Sequence, residues 1–301
     1  MRGTIIVNQN ISNHIEYKIK RFQDEFIKKG ISLNVVINDG TIASIINGKV
    51  NINLDSPDFI IYMDKDIYLA RLLEKAHYRL FNRANFIKLC DDKMLTFIVC
   101  SNLNINMPKT FAGPLVYYEL SENGYHFLDK IADELKFPLV MKRVYGSLGE
   151  GVYLVNDKEE LKTKYTKLAT QPLIFQEYIE RSKGFSIRVL IIDGKVVGAF
   201  KRVNSADFRS NFGDSAHSED IKDKQIFLDF AQSIADKLHI EYAGIDVLLD
   251  KNNNPILCEI NSNAFFEEFE KVTHINVGEL FADMIIKKMK EKDNYEEEVI
   301  Y

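Results

Sequence analysis

The sequence predicts two kinds of architecture in one chain: a small α/β unit with a mostly parallel sheet over residues 1–90, then α+β organisation as far as residue 290. Three observations predict this. The opening alternates strand, helix and strand patterns. From Pro108 onward strands arrive in pairs around tight polar turns. Finally, 301 residues with 46% hydrophobic against 28% charged side chains supply enough apolar material for two or three packed units, and too much for a disordered chain.

Thr4 to Val7 is a short β-rich run, Ile15, Ile19, Phe22 and Phe26 follow at helical spacing, and Leu33 to Ile37 reads as the next strand. Pro57 precedes a buried-strand candidate in DFIIYM, and Leu69, Leu72, Leu73, Ala76 and Leu80 mark an amphipathic helix. Polar residues between Asn82 and Thr96 place the first boundary there. Beyond it, Leu128, Ile131, Ala132 and Leu135 predict a helix, and PLVMK and GVYLV flank a glycine-rich loop. FSIRVLII and KVVGAF flank Asp193-Gly194, the strongest hairpin signal in the chain. Phe227, Phe230, Ile234 and Leu238 mark another helix, AGIDVLLD and PILCEIN flank a KNNN turn, and a last helix runs through Val277, Phe281 and Ile285. The charged stretch 291–301 reads as a frayed tail.

A net charge of -5 offers no general basic surface for nucleic acid. Apolar runs such as Phe59 to Met63 fall far short of the roughly 20 residues that span a bilayer. The start carries no signal-like apolar core, so a cytoplasmic protein without membrane association is expected. Cys90, Cys100 and Cys258 lack metal-ligand spacing and read as reduced core thiols. The six histidines show no such spacing either.

Three constellations can carry chemistry. In MKRVYGSLGEGVYLV a strand ends in Lys142 and a loop follows with Gly146, Gly149 and Gly151. Glycines admit close approach of backbone N–H groups to an oxyanion, and the lysine adds a point charge for phosphate. An ordinary glycine-rich hairpin stays open as the alternative. It is neither a Walker loop nor a Rossmann turn, because a strand follows. The second is Asp246 with Glu259 and Asn261. The latter two share a strand face, with Cys258 and Ile260 on the other, and pairing 246 with 259 across the KNNN turn adds Asp246. Three oxygen ligands then suit a hard cation such as Mg2+. A solvated polar sheet face is the rival, weakened by the apolar neighbours of all three. The third is the positive set Lys93, Arg188, Lys201, Arg202 and Arg209. Arg188, inside an apolar strand, needs an anion, either a protein carboxylate or a transferring phosphoryl group. Parity around Asp193-Gly194 puts Arg188 on one face with Lys201, and Arg202 on the other unless a bulge intervenes.

In this order, CDDK, PLVMKRVYGSLGEGV, LIFQEYI, SIRVL, AFKRVNSADFRSN, AGIDVL and CEIN resemble the ATP-grasp superfamily over residues 82–290, and within it the RimK-type carboxylate-amine ligases that add amino acids such as glutamate. The resemblance implies two α+β lobes clamping ATP, over residues 91–180 and 181–290, behind a short α/β domain. It implies that Lys93 and Lys142 bind phosphates under a loop containing Gly146, Ser147, Gly149 and Gly151. Gln176, Glu177, Tyr178 and Ile179 match the hinge that reads adenine, and Arg209, Ser210 and Asn211 match a loop reaching the nucleotide and the reacting groups. Asp246, Glu259 and Asn261 match ligands of Mg2+ or Mn2+, and Arg188 and Arg202 match arginines near the transferred phosphoryl group.

The chain departs from the family in carrying Ser186 where an aspartate usually faces a nucleotide hydroxyl. It also carries Ser262-Asn263-Ala264-Phe265 where Ala-Ser-Pro-Gly usually follows. The implied reaction is ADP-forming amide synthesis through an acyl phosphate, with an amino-acid carboxylate and an amine acceptor that is a small molecule, peptide or carrier protein. A homo-oligomer is compatible with it. The rival readings are a silent nucleotide-binding module and a kinase on the same scaffold.

Overall fold

The structure is a computed structural model that describes residues 1–118, 122–213, 215–221 and 224–291. Beyond Glu291 the tail expected from the sequence lies outside the described residues.

The leading unit runs β1 (Arg2–Val7), α1 (Asn13–Lys28), β2 (Ser32–Ile37), β3 (Ala43–Ile46), β4 (Lys49–Ile52), β5 (Phe59–Tyr62), α2 (Ile67–Lys75) and β6 (Leu80–Phe81). β1, β2, β5 and β6 form a sheet in the order 2-1-5-6 with every pairing parallel, as the β-α-β opening predicts. The β3–β4 hairpin is an addition to the sequence reading. Its turn is Asn47-Gly48, both at positive φ, the pairing that primed hairpin turns favour.

Two short helices, α3 (Ala84–Asp91) and α4 (Lys93–Cys100), lead into the second sheet. That sheet is built from β7 (Thr110–Ala112), β8 (Leu139–Arg143), β9 (Val152–Val155) and β10 (Leu173–Glu177), in the order 7-10-8-9 and antiparallel throughout. Helices α5 (His126–Leu135) and α6 (Lys158–Leu168) bury Leu128, Ile131, Leu161 and Tyr165 against it, leaving the other face toward the rest of the molecule.

The third sheet holds β11 (Phe185–Ile192), β12 (Lys195–Asn204), β13 (Ala216–Glu219), β14 (Tyr242–Leu249) and β15 (Pro255–Asn261), in the order 13-12-11-14-15. One face carries Ile187, Val189, Ile191, Ile245 and Val247, which pack under α7 (Gln225–Leu238). The opposite face carries Leu190, Ile192, Phe200 and Tyr242. They enter a different cluster with Phe22 and Phe26 of α1, Phe59 of β5, and residues of α8 (Glu267–Thr273) and α9 (Val277–Lys290). The leading sheet therefore shares its largest core with the C-terminal unit. Phe22 stacks on Phe281 at 4.6 Å, and Arg21 bridges Glu25, Glu270 and Asn276 along the same seam.

Register irregularities interrupt the third sheet in two places, between Leu190 and Ile191 in the β11–β12 pair and between Asp246 and Val247 in the β14–β15 pair. Each displaces side chains by one face, and the second falls at Asp246.

Candidate functional site

A cleft between the second and third sheets is lined by Lys93, Lys142, Gly146, Ser147 and Gly149 from one side. Gln176, Glu177, Tyr178 and Ile179 line its hinge, and Ser186, Arg209, Ser210, Asn211, Asp246 and Glu259 line the far wall. Arg188, Arg202 and Asn261 stand behind Asp246 and Glu259, and Gly151 closes the base of the loop.

On the small-sheet side, α4 begins at Lys93, with Asp92 as its N-cap accepting the Leu95 N–H at 2.8 Å. The Lys93 ammonium reaches the Gly146 carbonyl at 2.8 Å and the Val144 carbonyl at 3.3 Å. Burial pulls its pKa down, opposed by Glu259 and reinforced by Lys142. No hydrogen bond or ion pair among the described residues engages the Lys142 ammonium. In the loop, Gly149 and Gly151 sit at φ near +75° and +70°. A Cβ on Gly151 would come within 2.4 Å of the Arg143 side chain, so only glycine fits.

The hinge is prepared by β10. Gln176 donates to the Thr110 hydroxyl at 2.8 Å and leaves its buried carbonyl oxygen unpartnered in the cleft wall. Glu177 turns its carboxylate to the Lys109 backbone N–H at 2.7 Å, and its own backbone N–H donates to the Lys109 carbonyl at 3.0 Å. Ser186 and Ser210 share a hydrogen bond of 2.6 Å. Arg209 is held by both Asp207 oxygens, at 2.9 and 2.8 Å, donates to the Gly149 carbonyl at 2.8 Å and lies 3.4 Å above the Phe212 ring. It ties the glycine-rich loop to the large lobe.

Asp246 opposes Glu259 across the β14–β15 pair, a pairing that the bulge at Asp246/Val247 produces, since regular pairing outward from Leu249 and Pro255 would set Asp246 against Cys258. It forms a two-pronged ion pair with Arg188 and also accepts from Arg202. Of the two partners open to Arg188 from the sequence, the structure thus supplies the protein carboxylate. Burial alone would raise the Asp246 pKa, but the two guanidinium groups outweigh it and hold the carboxyl below its usual range. Arg202 is itself pulled down to about 10, by burial first and by Arg188 second. The Asn261 amide lies 2.9 Å from Glu259 and 3.4 Å from Asp246, so both carboxylates converge on one point. Gly244 makes room for Arg188, since a Cβ there would fall 2.7 Å from its guanidinium.

One alternative that parity left open is decided, and one expectation is corrected. The bulge at Leu190/Ile191 sets Arg188 opposite Phe200 and Ser186 opposite Arg202, so Arg202 shares the face of Arg188, while Lys201 turns out to Glu219 at 3.6 Å. The bulge at Asp246/Val247 likewise turns Cys258 into the cleft lining, away from the face of Ile260. Sequence reading missed Asp207 and Phe212, which brace Arg209. An acid two residues before an arginine was the only signal.

A family model described as the RimK-like ATP-grasp domain matches residues 90–285. The chain belongs to the RimK-like ATP-grasp family. It is accordingly an ATP-grasp fold and an ATP-dependent, ADP-forming carbon-nitrogen ligase. An uncharacterized protein of Mycoplasma pneumoniae is 34% identical over 209 residues, covering 68% of this chain and 72% of its own. Human N-acetylaspartylglutamate synthase A is 28% identical over 280 residues, covering 85% of this chain and 68% of its own. The D-alanine–D-alanine ligase of Bacillus anthracis superposes with a TM-score of 0.71 at 19% identity, over 97% of this chain and 98% of that one. No helix among the described residues is long and apolar enough to cross a membrane.

Proposed function

We propose that this RimK-like ligase binds ATP in the cleft and joins a carboxylate to an amine with glutamate as one of the two reactants. The observation that carries it is the convergence of two lysines, a glycine-rich loop and the Asp246–Glu259–Asn261 group on one cleft. Glutamate rests on the relative named as an N-acetylaspartylglutamate synthase. The cytoplasm is the compartment that suits ATP as a substrate.

The unpartnered ammonium of Lys142 and the side chain of Lys93 take the polyphosphate, with the glycine-rich loop above it and the hinge main chain at Glu177 and Tyr178 against the base. Asp246, Glu259 and Asn261 offer oxygen donors that fit Mg2+ or Mn2+. When bound, the ion neutralises phosphate charge. Arg188 keeps Asp246 ionised and aimed. Arg202, whose Nε is buried without a partner, adds positive charge beside the reacting groups. The substrate carboxylate oxygen attacks the γ-phosphorus, the bond to the β-phosphate oxygen breaks, and ADP departs. The amine nitrogen then attacks the acyl carbon, loses its proton and expels inorganic phosphate. No protein nucleophile takes part. Arg209 holds the loop shut and keeps water from the acyl phosphate.

ADP release and hydroxamate formation, measured with hydroxylamine as the amine across a panel of carboxylates that includes N-acylated amino acids, test this reading. Asp246→Asn is expected to abolish both signals. A panel without any hydroxamate, together with unchanged behaviour of Asp246→Asn, would sink it.

A further inference from the structure

Lysine is seldom fully buried, because the ammonium loses its hydration, and a buried one needs a compensating role. Lys18, in the second turn of α1, is 1% exposed. No ion pair engages it among the described residues. Its ammonium lies 5.2 Å from the Tyr242 ring and 5.8 Å from the Phe266 ring, donates to the Asn263 side-chain oxygen, and donates to the Ala264 carbonyl at 3.2 Å.

These contacts land on the segment directly after β15, Ser262 to Phe265. Every residue of that segment is fastened to something outside the ATP-grasp lobes or to Tyr242. The Ser262 carbonyl accepts from Asn82 at 2.6 Å. The Asn263 amide is bridged at both ends, accepting from Lys18 and donating to the Met63 carbonyl at 2.7 Å. The Ala264 carbonyl also accepts from the Tyr242 hydroxyl at 2.6 Å. Residues 1–82 thus fix the chain two positions beyond Asn261, although the family match begins only at residue 90.

We infer that Lys18 is a positioning residue, which through Asn263 fixes the end of β15 and so the placement of Asn261 and Glu259 toward the metal. This rests on the reading of Asp246, Glu259 and Asn261 as metal ligands.

The test titrates Mn2+ into the full chain with ADP present, follows free Mn2+ by electron paramagnetic resonance, and measures ADP binding without metal and thermal melting alongside. Lys18→Met and Asn263→Ala are each expected to weaken Mn2+ binding by about 10-fold, the scale of losing a group that orients a ligand, with metal-free ADP binding unchanged. The double variant is expected to be no weaker than the worse single one, since both remove the same contact. A folded Lys18→Met chain with unaltered Mn2+ affinity overturns the inference. If that chain does not fold, Asn263→Ala decides, and unaltered affinity there overturns it equally. Glu259→Gln separates two failures: loss there with none in Lys18→Met refutes the positioning role alone, whereas no loss in either refutes the metal reading.

Discussion

Lys142 and Lys93 differ in what the protein already provides for them, and that difference predicts their contributions. Lys93 has carbonyl partners, whereas Lys142 points into the cleft without one. A charge-assisted contact to phosphate is worth about 1.5–3 kcal/mol, so Lys142→Ala should weaken ATP binding by about 10- to 100-fold in calorimetry, with little change in melting temperature. Binding within a factor of two of the parent would remove Lys142 from the phosphate site. Lys18 allows a prediction in pH. Burial pulls it from an ordinary 10.5 to about 7, so between those values the unfolded chain holds a proton that the folded chain lacks. Stability therefore rises with pH across that window, while the burial cost is present in full below it. Relative to Lys18→Met, the parent chain should gain melting temperature from pH 7 toward pH 10, and a constant difference would contradict this. Glu259 and Asn261 were legible as one face because the period of a strand is two, whereas the pairing that brings Asp246 to them depends on the bulge at Asp246/Val247, which the KNNN turn does not specify. Lys18 was not legible: it stands among apolar residues at helical spacing, and only the fold reveals that its neighbour is a segment nearly 250 positions away.

At the scale of elements, the glycine-rich loop is closed by a side chain and not by its own backbone alone. Asp207 holds the Arg209 fork, Phe212 lies beneath it, and the fork reaches the Gly149 carbonyl. Asp207→Ala leaves the loop residues untouched but frees that fork. The expected outcome is a raised KM for ATP and faster ADP release into water without product, read as uncoupled hydrolysis in the presence of carboxylate. Unchanged coupling would show that closure does not depend on this tie. The strands and helices themselves were legible from periodicity, including the parallel leading sheet and the hairpin at Asp193-Gly194. The face of Arg202 stayed open and Cys258 was misplaced because an extra residue in a strand leaves no mark in the hydrophobic pattern, yet inverts every side chain on one side of it. The β3–β4 hairpin went unread although its Asn47-Gly48 turn is a recognised signal, since its strands are largely exposed and carry no clean alternation.

At the scale of the molecule, sequence reading separated a leading domain at residue 90, whereas the structure shows Phe22, Phe26 and Phe59 in one cluster with Tyr242, Phe266, Phe281 and Ile285. Pattern reports that a face is apolar but not which face covers it, so the shared core was invisible before folding. The consequence is thermodynamic: α1 and α9 should not unfold separately. Because the chain has no tryptophan and 14 tyrosines, tyrosine fluorescence samples several regions while far-ultraviolet dichroism follows the helices. In urea the two signals should trace one coincident transition, the mark of a single cooperative unit. A chain of residues 83–301 would expose Tyr242, Phe266 and Phe281 and lose the anchors of Ser262 and Asn263, so it should melt without cooperativity and bind an apolar dye. Phe22→Ala, which removes a fully buried ring at the seam, should lower stability by about 3–5 kcal/mol while keeping the two transitions superimposed. Two resolved transitions in the parent chain, or a truncated chain that melts cooperatively and binds Mn2+ with ADP as tightly as the parent, would show that the leading unit is an appendage. Coincidence would instead make residues 1–82 part of the catalytic unit, since the same docking that completes the core also holds the segment after Asn261.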